Sequence, residues 1–173
     1  MTVYFSKLSI INRKKGQVWV ETVIYTLIGL VIIGLVLAVA KPKIEAKQDE
    51  VLISQAIESL SDINDKIYEV QKAPGNRRVI DLKIGKGKVV IDMENDKISW
   101  ILDSSFLYSE EDVEIELGDV KIVSSTGSPY RVTISIYYSL DLRYDNSPSG
   151  TKELSESSIP YKLIIENGGI SDD

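Results

Sequence analysis

Residues 17–42 read QVWVETVIYTLIGLVIIGLVLAVAKP, and this stretch decides the architecture. Within it, residues 18–40 are 23 positions whose only charge is Glu21. At about 1.5 Å per residue a helix of that length reaches roughly 35 Å, enough to cross a hydrocarbon core of ~30 Å. The whole chain has 173 residues, which leaves room for one ordinary domain beside such a segment. Its mean hydropathy of −0.01 looks like that of a soluble protein, but the average joins unlike pieces. A purely cytosolic globular domain is therefore disfavoured.

The flanks are unlike each other in charge. Residues 1–16 hold Lys7, Arg13, Lys14 and Lys15 and no acid. The chain as a whole has 20 basic and 26 acidic residues, a net −6, so residues 17–173 keep 16 basic against 26 acidic, a net −10. A body that acidic repels phosphate backbones, and nucleic acid is not an expected partner. A basic N-terminus ahead of an apolar span reads instead as a targeting arrangement with its positive charge kept in the cytoplasm. Lys41, Lys43 and Lys47 at the far end weaken the orientation signal.

Downstream, the pattern first stays helical. Ile53, Ala56, Leu60, Ile63, Ile67 and Val70 recur at spacings of three and four, with Glu58, Asp62, Asp65 and Glu69 between them. That spacing predicts an amphipathic helix whose stripe must be covered. Pro74-Gly75 ends it. Pro42 lies between the apolar span and the stripe and is expected to kink the helix rather than stop it, giving one helix of about 55 residues from Gln17 to about Lys72.

After Pro74 the period becomes two. Ile80, Leu82 and Ile84 alternate with charges before Gly85-Lys86-Gly87. Val89, Ile91 and Met93 precede the turn Glu94-Asn95-Asp96, and Ile98, Trp100 and Leu102 follow it. Val113, Ile115 and Leu117, then Val120 and Ile122, continue the series. Residues 130–142 place Val132, Ile134, Ile136, Tyr138, Leu140 and Leu142 on one face, and residues 161–166 form a last strand. Strands with one apolar and one polar face predict an antiparallel sheet over a core, with the helical stripe as its lid and an α+β class overall. Residues 145–158, rich in Ser, Pro and Gly, are expected to be a surface loop, and residues 168–173 a loose, disordered acidic tail. The domain plan is thus a leader over 1–16, a helix over 17–73 and a β-rich head over 74–173.

Composition removes much chemistry. The chain has no Cys and no His, so thiol nucleophiles, disulfides, zinc–thiolate sites and the usual general base are absent. Catalysis is disfavoured, and no catalytic, cofactor or metal site is expected. Asp92-x-Glu94-x-Asp96 has calcium-loop spacing, but Lys97 stands where such a loop needs glycine, so a charged hairpin turn is the better reading. Glu114 and Glu116 read as a solvated strand face. Tyr137, Tyr144 and Tyr161 are either an adhesive patch or loop-packing tyrosines.

The junction before the span is the most specific motif: Lys14-Lys15-Gly16-Gln17, then Val18-Trp19-Val20-Glu21. A secretory signal peptide puts its cleavage site after the apolar region, whereas the small residue here precedes it. This junction resembles the class III signal peptide of archaeal type IV pilin-like proteins, related to the leaders of archaellins and bacterial pilins. The third position after the glycine carries Trp19, where that family often has Ser. The resemblance implies cleavage between Gly16 and Gln17 by a prepilin peptidase. It further implies an assembly ATPase, a membrane platform protein and a homopolymeric pilus filament at the cell surface, serving adhesion and reached from a membrane-held precursor. Filament assembly is then expected to engage Gln17, Glu21, Tyr25, Gly29, Gly34 and Pro42. The family is frequently N-glycosylated, yet Asn146-Ser147-Pro148 is not an acceptor sequon. A minor pilin or pseudopilin, and a monomeric membrane-anchored binding protein, are the alternatives.

Glu21 has two readings. A carboxylate within an apolar span is costly unless neutralised or paired, so it pairs with the new amine of a neighbouring copy, or it lies at headgroup level and snorkels. Gly29 and Gly34 weaken the helix by up to ~1 kcal/mol each. Their spacing is not that of a GxxxG pair.

Overall fold

A computed structural model describes residues 13–169, with side chains from Val18 onward. Lys7 and the rest of the leader before Arg13, and the tail from residue 170, lie outside the described residues. The chain divides into two units, Met1–Lys43 and Ile44–Asp173. The helix α1 (Arg13–Gln71), 59 residues long, contributes to both. It is helical from Arg13, four residues ahead of the expected start at Gln17. Arg13, Lys14 and Lys15 are good helix formers, and one glycine at position 16 is too weak a breaker to stop the turn. Pro42 lies inside α1 and does not stop it.

In the second unit α1 meets the β-rich head. Ile53, Ala56, Leu60, Ile63, Ile67 and Val70 are all buried, the first three almost completely. All but Val70 belong to one apolar cluster with Leu82, Ile84, Val89, Trp100, Leu102, Ile122, Val132, Ile134 and Ile136. The three-and-four spacing is thus satisfied by a sheet that covers the stripe.

The strands are β1 (Arg77–Leu82), β2 (Lys88–Asp92), β3 (Lys97–Ser104), β4 (Glu114–Leu117), β5 (Val120–Ser125), β6 (Tyr130–Tyr137), β7 (Thr151–Ser155) and β8 (Tyr161–Glu166). They form two antiparallel sheets: six strands in the order β4-β5-β6-β3-β2-β7, and the pair β1-β8. The central strands β3 and β6 set the register, with Trp100 opposite Ile134 on the core side and Ser99 opposite Ser135 on the other. Those two hydroxyls hydrogen-bond each other at 2.9 Å. Trp100 lends its indole N–H to the Lys86 carbonyl at 3.0 Å, so the bulkiest core side chain leaves no orphan donor.

Three strand expectations change. β6 ends at Tyr137 instead of running to Leu142. Asp96 draws the chain off the ladder: the Tyr138 amide donates to its carbonyl at 2.8 Å and the Leu142 amide to its carboxylate at 2.9 Å. Tyr138, Leu140 and Leu142 still pack against the core, as irregular backbone. Residues 145–158, expected as a loop, contain β7, whose one buried side chain is Leu154. In β4 only Ile115 packs on the core; Val113 just before it and Leu117 stay exposed.

Candidate functional site

The apolar half of α1 is the first candidate. Every large hydrophobic side chain from Val18 to Val39 is exposed, with Trp19 and Tyr25 above 70%. The helix is long and apolar enough to cross a membrane, with none of its most apolar window buried in the protein. That separates it from the core helix of a soluble domain, which is covered by its own chain. Its polar side chains are partly self-satisfied. Thr22 donates to the Val18 carbonyl at 3.0 Å and Thr26 to the Thr22 carbonyl at 2.8 Å, so neither hydroxyl needs water. Membrane association follows from such a helix at the level of length and composition.

The sequence-predicted site residues fall along this helix. Lys14, Lys15, Gly16 and Gln17 are helical in backbone, and their side chains lie outside the described residues. Glu21 is exposed on the apolar segment. Gly29 and Gly34 face open space: a methyl group built on either meets nothing within 4 Å. The fold of a single copy therefore gives no steric reason for glycine at either position.

In the head, the strongest polar site is one that the sequence reading passed over. Asp49 is buried on α1 and accepts a hydrogen bond from the Lys86 ammonium, and the amide and hydroxyl of Ser105 both reach its other oxygen at 2.7 Å. Burial raises its carboxyl pKa, but the hydrogen bonds from Lys86 and Ser105 outweigh that and leave it below its ordinary value. The loop that presents Lys86 is itself fixed. Gly87 has φ of +80°, and a side chain there would strike the Ile101 carbonyl. Stepping back four residues from Ile53 along the buried stripe lands on Asp49, so a charge on the covered face was the available signal. Asn64, also buried on α1, was missed in the same way. Its amide donates to Asp119 at 2.9 Å, and the Tyr68 hydroxyl donates to the same oxygen at 3.3 Å.

The other surface candidates resolve into structure. Asp92 accepts the Glu94 and Asn95 amides, closing the acidic turn on itself. Glu114 and Glu116 both pair with Lys121, at 2.8 and 3.0 Å, across adjacent strands. The tyrosines separate. Tyr137 is exposed with the Lys97 and Lys121 ammonium groups 5.6 and 6.0 Å from its ring centre, while Tyr144 and Tyr161 are half-buried. Tyr137 ends β6 on the six-stranded sheet, and Tyr161 opens β8 of the two-stranded one and donates to the Ser155 carbonyl. Compared with known proteins, the chain matches no family model, no curated protein and no solved structure.

Proposed function

We propose that the chain is the precursor of a structural subunit of an archaeal type IV pilus. In this reading a prepilin peptidase cuts between Gly16 and Gln17. The mature protein is held in the membrane by residues 18–40 and is then polymerised through that helix by an assembly ATPase and a membrane platform protein. The head is displayed at the filament surface for adhesion, and the chain itself catalyses nothing. The observation that carries the reading is the uncovered apolar half of α1 directly behind Lys14-Lys15-Gly16-Gln17. A helix with every large apolar side chain exposed needs a cover that its own chain does not supply, and lipid before assembly and other copies afterwards provide one.

A minor pilin or pseudopilin fits the same residues. A monomeric membrane-anchored binding protein is favoured by one observation, since the apolar segment alone suffices as an anchor. Intact mass of the protein from its native host separates these readings. An N-terminus at Gln17 supports the pilin, and a retained Met1 overturns it. Electron microscopy of sheared surface filaments then distinguishes a major subunit from a minor one.

A further inference from the structure

The two-stranded sheet carries a surface whose chemistry repeats under a two-fold rotation. By the alternation of strand side chains, Arg77, Val79 and Asp81 of β1 point to one face, together with Glu166, Ile164 and Lys162 of β8. All six are exposed. The other face carries Ile80, Leu82, Leu163 and Ile165 into the core. Register places Arg77 opposite Glu166, Val79 opposite Ile164 and Asp81 opposite Lys162. The array is thus positive–negative, apolar–apolar, negative–positive.

Its four charges are held apart. On the six-stranded sheet the directly opposed pairs Lys121–Glu116 and Arg131–Asp103 close ion pairs at 3.0 and 3.3 Å. Among the described residues no ion pair engages Arg77, Asp81, Lys162 or Glu166, although each stands opposite a charge of the other sign. Between them Val79 and Ile164 remain 60% and 54% exposed.

We propose that this face is a contact between two copies of the chain. Laid face to face about a two-fold axis parallel to the strands, Arg77 of one copy meets Glu166 of the other, and Asp81 meets Lys162. About an axis across the strands, Arg77 meets Asp81 and Lys162 meets Glu166. Either stacking places opposite charges together and buries the Val79–Ile164 pair at the centre, as an isologous interface requires. A single like charge anywhere in the array breaks both. The patch measures about 20 by 10 Å, roughly 200 Å² per partner, against about 800 Å² per partner in a stable dimer. It is therefore a weak contact that acts where copies are already held close, as in a membrane or an array. It depends neither on cleavage at Gly16 nor on filament formation.

The absence of native cysteine makes the test direct. Full-length protein in detergent, carrying Ile164→Cys alone or Ile164→Cys mixed with Val79→Cys, is treated with a short bismaleimide. Ser139→Cys, exposed elsewhere on the head, serves as the collision control. Cross-linked dimer well above the control is expected, since either arrangement brings these positions within reach of the linker. Arg77→Glu is expected to lower that yield roughly fivefold at low salt, the effect of about 1 kcal/mol. Arg77→Glu with Glu166→Arg restores it if the axis runs parallel to the strands, and Arg77→Glu with Asp81→Arg restores it if the axis runs across them, so the pair that rescues also identifies the axis. Should Arg77→Glu alter folding as read by its melting curve, Lys162→Glu is the second single reversal, rescued by Asp81→Lys about the parallel axis or by Glu166→Lys about the axis across the strands. Dimer no greater than the Ser139→Cys control, or a yield indifferent to both single reversals, overturns the contact.

Discussion

The two halves of α1 are built from similar apolar residues and end in opposite surroundings. From Val18 to Val39 the large hydrophobics go all round the helix, and all of them are exposed. From Ile53 to Val70 the six stripe positions, Ile53, Ala56, Leu60, Ile63, Ile67 and Val70, are all buried, while Tyr68 beside them is exposed. What separates the halves is periodicity rather than hydrophobicity. A stripe can be satisfied by a sheet on one side, whereas a helix that is apolar on every side needs a surrounding phase. The charged residues between the stripe positions keep the second half in water on its far side.

Substitutions in the two halves sharpen this contrast. The largest effect is expected in the stripe: Leu60→Ala should lower the stability of the head by about 2–5 kcal/mol, because the fully buried side chain leaves a cavity. Leu35→Ala, on the uncovered half, should change it by less than about 0.5 kcal/mol. Urea unfolding followed by tryptophan fluorescence measures both, and equal losses would break the comparison. Ile33→Lys reverses the roles. It should oppose membrane insertion by about 2.5–3.5 kcal/mol while leaving head unfolding unchanged, as read by carbonate extraction and the same urea unfolding.

A smaller loss, about 1–3 kcal/mol, is expected for Asp49→Ala, which strands the Ser105 amide and the Lys86 ammonium. Its contribution depends on pH. The folded carboxyl lies below its ordinary value of 3.8, so the stabilisation is present above that pH and is lost as pH falls through the folded value. Glu69 behaves alike, its hydrogen bonds with Lys66 and Arg78 holding it down at about 2 from 4.5. Acid titration of the wild type should thus show stability falling from about pH 4.5 downward, with a shallower fall in Asp49→Ala. A wild-type profile flat to pH 2 would count against both assignments. The smallest effect is Gly34→Ala, worth about 0.5–1 kcal/mol in favour of the helix, since a methyl group there meets nothing within 4 Å. Circular dichroism of the full chain in detergent should show helicity equal to or above wild type.

How far the sequence could be read follows from the same physics. Stripes and alternations declare themselves, so the covered face of α1 and the strands around Ile98 and Tyr161 stood out. Pairing does not. Period-two patterns say which face is buried but not which strand lies beside which, and the split into six strands and two was not legible. β7 escaped because a strand with Leu154 as its sole buried residue, behind a Ser-Pro-Ser-Gly run, has almost no alternation to detect. The candidate site divides likewise. The junction Lys14-Lys15-Gly16-Gln17 is a local motif, readable without a fold, whereas Asp49 acquires its partners from loops 37 and 56 residues away.

The pairing of β1 with β8 has a consequence for how the chain is made. β1 leaves the ribosome about 80 residues ahead of its partner β8, and every other strand of the head is made between them. At about 5–20 residues per second, β1 waits several seconds for β8. Asn167, just beyond β8, then closes the ring by donating to the Val70 carbonyl at the end of α1, while its own carbonyl receives the Gly75 amide. Throughout that interval the apolar half of α1 has already been synthesised, so its encounter with a membrane can precede completion of the head.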